Sequence, residues 1–127
     1  IKLLAKELSA FSIDNQLTDA EIVQMASLCG SNEYCIVKDW LIVNLALSAS
    51  EATHFKAHGV EPRFIYAESI IEDSKQRNFE WVRTTLIKRK YSDSMFSTQN
   101  TYYILVGQGY RCQMTIEDAY RRFGFNS

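Results

Sequence analysis

The chain has little proline, little glycine and no long apolar run. Of its 127 residues, one is proline and five are glycine, which excludes collagen-like and proline-rich sequences. The longest apolar stretch, Trp40–Ala49, is interrupted by Asn44 and is far too short to cross a bilayer. No charged segment followed by an apolar one opens the chain, so we predict neither a signal peptide nor a membrane segment.

Cysteine is scarce and occurs in an odd number. Cys29, Cys35 and Cys112 cannot all pair with one another, and Cys29 with Cys35 is the only pair close in sequence. Three reduced, buried thiols are the better interpretation. They predict a cytoplasmic protein, because thiols remain reduced in that compartment.

Neither sign of charge dominates. The formal net charge is −1, with 23% charged and 46% hydrophobic residues, a composition typical of a globular protein. The near-neutral total disfavours nucleic acid as a partner, because neutralisation of phosphates supplies most of such affinity. A chain of this length fits one core, so we expect residues 1–127 to form a single domain.

Capping patterns and apolar spacing predict four helices. Thr18 with Glu21 and Ser48 with Glu51 are capping boxes, in which a hydroxyl and a carboxylate satisfy free amides of the first turn. Glycines stand where helices would end, because glycine adopts a left-handed conformation without strain. The predicted helices are Lys2–Phe11, a segment from Thr18 to Cys29, Ala49–His58 and Ile116–Phe123.

Three successive runs are rich in β-branched and aromatic residues: Phe64–Asp73, Phe79–Tyr91 and Met95–Val106. Short polar turns separate them, which predicts an antiparallel meander over residues 63–106. Tyr34–Leu47 is a further predicted strand, bent near Lys38 and Asp39. The predicted fold class is therefore α+β: an antiparallel four- to five-stranded sheet with two N-terminal helices, one mid-chain helix and a short C-terminal helix.

The turns of the meander suggest a register that collects polar side chains. Arg83 would lie between Ser69 and Tyr103, with Thr84 between Glu68 and Tyr102. Burying a polar group without a partner costs about 1–3 kcal/mol, so these residues form either an internal hydrogen-bond network or a binding pocket. The candidate binding residues are Glu68, Trp81, Arg83, Asn100, Tyr102 and Tyr103.

Two further groups have the residue types of a site. His54 and His58 lie four apart on a predicted helix, and with Cys29 and Cys35 they supply the ligand types of zinc. Known zinc-binding spacings are not matched, so we predict surface histidines and neither a metal nor a cofactor. Arg77, in a charged turn, could clamp a carboxylate or phosphate, although a solvated turn is the default interpretation.

A pattern of spaced residues runs through positions 66–111. It comprises Tyr66-Ala67, Asp73-Ser74 with Arg77, Trp81-Val82-Arg83-Thr84, Phe96-x-Thr98-x-Asn100-Thr101-x-Tyr103 and Leu105-x-Gly107-x-Gly109-x-Arg111. This pattern resembles a small bacterial domain family of unknown function, whose members often lie near prophages or other mobile elements. Phe79-Glu80 stands where that family tends to have Gly-Asp. The resemblance implies one compact domain and an accessory role, and it assigns no reaction.

The predicted function is a non-enzymatic interaction module carried by a mobile element. No nucleophile–base pair and no nucleotide-binding motif stands out. An open sheet face around Trp81, Arg83 and Tyr103 would bind a protein partner or a second copy in a homodimer. One alternative is a small-ligand-binding protein or enzyme with a polar pocket around Glu68, Arg83, Asn100 and Tyr102. Another is a weak nucleic-acid binder that uses the basic residues Arg63, Lys88, Arg89, Lys90, Arg111, Arg121 and Arg122.

Overall fold

A computed structural model describes residues 1–125 of the chain. Within them, four helices and eight strands follow one another in this order: α1 (Lys2–Glu7), β1 (Phe11–Asn15), α2 (Asp19–Leu28), β2 (Glu33–Ala46), α3 (Ala49–Ala57), β3 (Arg63–Asp73), β4 (Val82–Arg83), β5 (Arg89–Ser92), β6 (Met95–Ser97), β7 (Thr101–Leu105), β8 (Gly107–Thr115) and α4 (Ile116–Phe123).

The long strand β2 is the centre of one mixed sheet of eight strands. Along one edge it pairs with β3 in antiparallel fashion. Along the other edge, β7 and then β8 pair with it in parallel. β6 and β1 pair in turn with the outer edges of β7 and β8. The predicted α+β class is confirmed, whereas the purely antiparallel sheet of four or five strands is wrong.

β2 bends at Asp39, as the sequence predicted. Asp39 has a positive φ of 53°, a conformation that a short polar side chain tolerates better than most. At this residue the inward-facing positions of β2 change from odd to even numbers. Both halves of β2 therefore direct apolar side chains into the same interior cluster: Cys35, Val37, Trp40 and Ile42.

The sheet curls, and residues 82–92 connect the edge at β3 with the edge at β6. β4 pairs with β3, and beyond it Ile87 N donates a hydrogen bond to Arg63 O at 3.0 Å. One residue later, Lys88 N donates to Ser97 O at 2.7 Å, and β5 pairs with β6. One continuous segment thus bonds to both ends of the sheet and encloses the interior cluster.

The predicted three-strand meander is wrong. Its middle run is strand only at Val82–Arg83 and from Arg89 onward, and its third run divides into β6 and β7. β7 pairs with β2 and not with the middle run. In the register of β3 with β4, Arg83 lies opposite Tyr66 instead of Ser69. The predicted register was wrong because an alternating pattern indicates a half-buried strand but does not identify the strand that pairs with it.

The helices pack on the outer face of the sheet. Leu4 of α1, Phe55 of α3 and Ala119 of α4 join one outer cluster, and Met25 of α2 contacts a second. Both predicted capping boxes are present, and α4 spans the predicted residues before Gly124. The first helix is shorter than predicted, because the chain turns at Ser9, with φ of 53°, and then enters β1.

The three cysteines are free and buried, as predicted. In residues 1–125, no helix has the length and apolar character needed to span a membrane.

Candidate functional site

A polar cavity of about 610 Å³ lies at one end of the curled sheet. Its walls are the start of β2, the loop after β3, residues 83–85 and the turn between β6 and β7. Two amide side chains, Asn32 and Asn100, and four charged ones contribute to the lining. Hydroxyl groups make up the rest: Ser31, Thr84, Thr85, Thr98, Thr101 and Tyr103.

Glu33 is the acidic group of this cavity and already has three partners. Lys75 Nζ lies 3.4 Å from its Oε1, and Arg77 Nη1 lies 3.9 Å from its Oε2. Thr101 Oγ1 donates to the same Oε2 at 3.2 Å. Glu33, at the start of β2, therefore ties the loop after β3 to β7.

Arg77 is oriented by a nearly buried carboxylate. Its Nε donates to Asp73 Oδ2 at 2.8 Å and its Nη2 donates to Asp73 Oδ1 at 3.2 Å. Burial alone would raise the pKa of Asp73, but the hydrogen bonds from Arg77 and from the Lys75 backbone outweigh burial and lower that pKa. Asp73 therefore stays ionised and holds the guanidinium of Arg77 at the cavity wall.

Arg83 has a different set of partners. Its Nη1 donates to Phe123 O at 3.3 Å and to Gly124 O at 2.7 Å, which satisfies carbonyls at the end of α4. The guanidinium also lies 5.8 Å from the centre of the Phe125 ring. Among residues 1–125, no carboxylate forms an ion pair with it, and its buried Nε has no hydrogen-bond partner. Its charge is therefore not neutralised by any described residue.

Tyr103 connects the cavity with the interior core. The residue is 8% exposed and packs in the same cluster as Cys35 and Leu105. Burial is the main cause that raises the pKa of its phenol. Tyr103 therefore remains a neutral hydroxyl at ordinary pH and can form hydrogen bonds without adding charge.

Three of the six predicted site residues line this cavity: Arg83, Asn100 and Tyr103. Tyr102 faces the outer side of β7, where its ring centre lies 5.6 Å from that of Tyr91. Glu68 and Trp81 also lie outside the cavity. Arg83 and Tyr103 thus share this cavity without Trp81, whereas Trp81 and Arg83 border a neighbouring groove together.

Sequence reasoning missed Glu33, Lys75 and Thr101 as members of the cavity. Glu33 lies before the predicted meander, Lys75 in its first turn and Thr101 in its third run, and the predicted register did not join them in one site. Arg77 was considered as an anion clamp, and the acidic residue four positions before it was the one local signal for its orientation.

A second cleft, of about 320 Å³, is lined by Tyr66, Glu68, Glu80 and Trp81. Trp81 is 58% exposed, and its ring centre lies 6.3 Å from that of Tyr66 at an interplanar angle of 48°. Tyr66 Oη donates to Glu68 Oε2 at 3.5 Å. The ammonium of Ile1 pairs with the other oxygen, Glu68 Oε1.

The basic residues considered for nucleic-acid binding are mostly paired within the fold. Lys90 Nζ lies 2.9 Å from Asp93 Oδ1, Arg122 Nη1 lies 3.0 Å from Glu7 Oε1 and Arg63 Nε lies 3.2 Å from Glu61 Oε1. Arg121 pairs with Asp118. These pairs reduce the positive potential that phosphate groups would meet.

The two histidines lie together without converging on acidic or thiol groups. Their ring centres are 4.2 Å apart, and His58 Nδ1 lies 2.8 Å from His54 O. In the part of the chain that the structure describes, no three side chains of the types His, Cys, Asp and Glu are grouped so that they could hold a metal ion.

A family model matches residues 12–121, and its description is "Domain of unknown function (DUF6957)". The match spans most of the chain, so the protein belongs to this family. No curated protein and no solved structure matches the chain.

Proposed function

We propose that this member of the DUF6957 family binds a small, hydroxylated anion in the polar cavity at the end of the sheet. The observation that carries the proposal is the guanidinium of Arg83. Arg83 lines this cavity, and its guanidinium bonds only uncharged carbonyl oxygens among the described residues. A carboxylate or phosphate is the natural partner of such a group.

The balance of charge around the cavity favours an anion. Lys75, Arg77 and Arg83 are cationic, whereas Glu33 and the adjacent Asp73 are anionic. Asp73 and Glu33 together compensate Lys75 and Arg77, which leaves the positive charge of Arg83. An anion that enters next to Arg83 would restore neutrality without displacing either carboxylate.

The uncharged lining favours a ligand that carries several oxygen atoms. Hydroxyl and amide side chains both donate and accept hydrogen bonds, and they surround the charged groups on several sides. A hydroxylated phosphate or carboxylate can use such groups for orientation, while the arginine supplies most of the attraction. A purely apolar ligand would leave these polar groups unpaired, which disfavours its binding.

Binding alone is proposed, without a reaction. Neither histidine nor cysteine occurs among the residues that line the cavity. The raised pKa of Tyr103 keeps its phenol protonated at neutral pH, so Tyr103 cannot accept a proton there. Glu33 is already engaged by Lys75, by Arg77 and by the hydroxyl of Thr101.

The test compares glycerol 3-phosphate with glycerol, which differ by the phosphate group. Nuclear magnetic resonance should show shifts of the Asn100 and Thr101 amides with glycerol 3-phosphate and none with glycerol. Lys75 is 56% exposed, so Lys75→Gln should keep the fold and weaken binding about two- to fivefold through loss of an exposed charge.

Lys38→Gln is the matched control, because Lys38 is an exposed lysine of β2 outside this cavity. It should bind the phosphate like the unaltered protein. Equal shifts with glycerol and glycerol 3-phosphate, or an equal loss in both variants, would contradict the proposal.

A further inference from the structure

We propose that the cleft beside Trp81 binds a lysine or arginine side chain of a partner protein. This cation cleft, formed by Tyr66, Glu68, Glu80 and Trp81, shares no residue with the polar cavity. Its charge has the opposite sign, since no basic side chain is among its four lining residues and the Glu80 carboxylate forms no ion pair within residues 1–125. The two sites therefore select opposite charges.

The aromatic rings provide the first part of the argument. Trp81 is 58% exposed, whereas Trp40 is fully buried, so Trp81 contributes little to the core. Its indole and the Tyr66 ring are inclined at 48° and border the same open space. The negatively polarised face of an indole attracts cations more strongly than the rings of tyrosine and phenylalanine do.

The carboxylates provide the second part. Glu80 is exposed and forms no ion pair within residues 1–125. Glu68 is held next to Tyr66, whose hydroxyl donates to one of its carboxylate oxygens. A carboxylate beside an aromatic face adds direct attraction to the cation–π term.

These features commit the cleft to one class of occupant. An acidic peptide, a phosphate or a carboxylate would meet the like charge of Glu80 here. An apolar side chain would leave Glu80 near a surface that excludes water. A lysine or arginine side chain fits both the apolar and the charged part of the cleft. Its stem packs on the rings while its charged end meets the carboxylates.

The test uses a short peptide of alternating lysine and glycine, with its lysine-acetylated counterpart as the uncharged control. The chain has two tryptophans, so two indole N–H resonances report separately. The Trp81 resonance should shift with the lysine peptide and stay in place with the acetylated one. The Trp40 indole is buried and donates to Val106 O, so its resonance should not move with either peptide.

Glu80→Gln isolates the electrostatic contribution to binding. Glu80 forms no ion pair within residues 1–125, so the substitution breaks no ion pair of the fold. It should weaken binding of the lysine peptide about two- to fivefold, the range of an exposed charge pair. Trp81→Ala should weaken binding at least as much. The exposed Glu117 lies on α4, and Glu117→Gln should leave binding unchanged.

Equal binding of the acetylated peptide, or unchanged binding by both Glu80→Gln and Trp81→Ala, would overturn this inference. Lys75→Gln, which tests the polar cavity, should not affect binding of the lysine peptide. The two proposals can therefore fail independently.

Discussion

The indole ring of Trp40 lies directly against Gly109. A Cβ on Gly109 would lie 2.1 Å from Trp40 Cδ2, which is far inside van der Waals contact. Trp40 Nε1 also donates to Val106 O at 3.1 Å, so the ring is fixed and cannot move aside freely. Gly109 belongs to β8 and Trp40 to the second half of β2, so this contact helps to define how the two strands curl around the interior.

Gly109→Ala should lower the free energy of unfolding by about 2–3 kcal/mol, because an added methyl group forces a well-packed ring to shift. Chemical denaturation followed by Trp40 fluorescence measures the effect in a Trp81→Phe background. Gln113→Ala is the control, since Gln113 is an exposed residue of the same strand. An unchanged denaturation midpoint for Gly109→Ala would mean that Trp40 has space to move.

Arg83→Met should lower the free energy of unfolding by about 1–2 kcal/mol, because Phe123 O and Gly124 O lose a charged donor. For a domain of this size, the melting temperature should fall by about 3–8 °C. Calorimetry measures the change. Arg89→Met, at an exposed arginine of β5, should have a smaller effect. A variant that melts at the original temperature would show that Arg83 does not stabilise the end of α4.

Asp73→Asn should destabilise the protein at neutral pH by about 2 kcal/mol, because Asp73 is 4% exposed and holds Arg77 through two hydrogen bonds. The folded pKa of Asp73 lies below its ordinary value. Its contribution is therefore complete above the unfolded pKa of about 3.9 and is lost as the pH falls through the folded pKa.

Urea unfolding from pH 7 down to pH 3 tests this dependence. The difference between the unaltered protein and Asp73→Asn should narrow below about pH 4. Asp93→Asn is the control, because Asp93 is 81% exposed although it pairs with Lys90, and such surface pairs contribute little. A difference that stays constant over the whole pH range would exclude titration of Asp73 as the cause.

The cysteines should not react with thiol reagents in the folded protein. Cys29, Cys35 and Cys112 are buried, and burial raises the pKa of Cys35 and of Cys112 to about 11. At pH 8 only about one in a thousand of these two thiols would be the reactive thiolate. Titration with a disulfide reagent should detect all three after denaturation and none rapidly before it. Rapid labelling of the folded protein would indicate that the outer clusters open.

Local chemistry made several elements predictable from the sequence. Thr18 and Ser48 cap the helices that follow them, and Gly124 ends α4 with φ of 65°. The bend of β2 at Asp39 was also predicted, because polar residues interrupt its alternating apolar pattern. Each of these features depends on contacts within a few residues, which a single sequence displays directly.

The pairing of the strands depended on tertiary structure. Thr84 and Ile87 look like members of a regular strand, yet residues 84–88 are irregular, because the hydroxyl of Thr84 accepts from Ile65 N and the segment then changes its partner from β3 to β6. Only some of the residues of the polar cavity were predicted, for the same reason. Arg83, Asn100 and Tyr103 were identified, whereas Glu33 joins them only because β7 pairs with β2.

The sequence by itself determined where α2, α3 and α4 begin and end, which residues are apolar enough for the core, and that the thiols are buried. Only the tertiary structure decided which strands are neighbours, and therefore that Glu33, Arg77 and Arg83 surround one cavity while Trp81 faces outward. The physical reason is that helix caps and alternating patterns depend on neighbouring residues. Strand pairing instead depends on the free energy of the whole closed sheet, in which residues far apart in the chain bury each other.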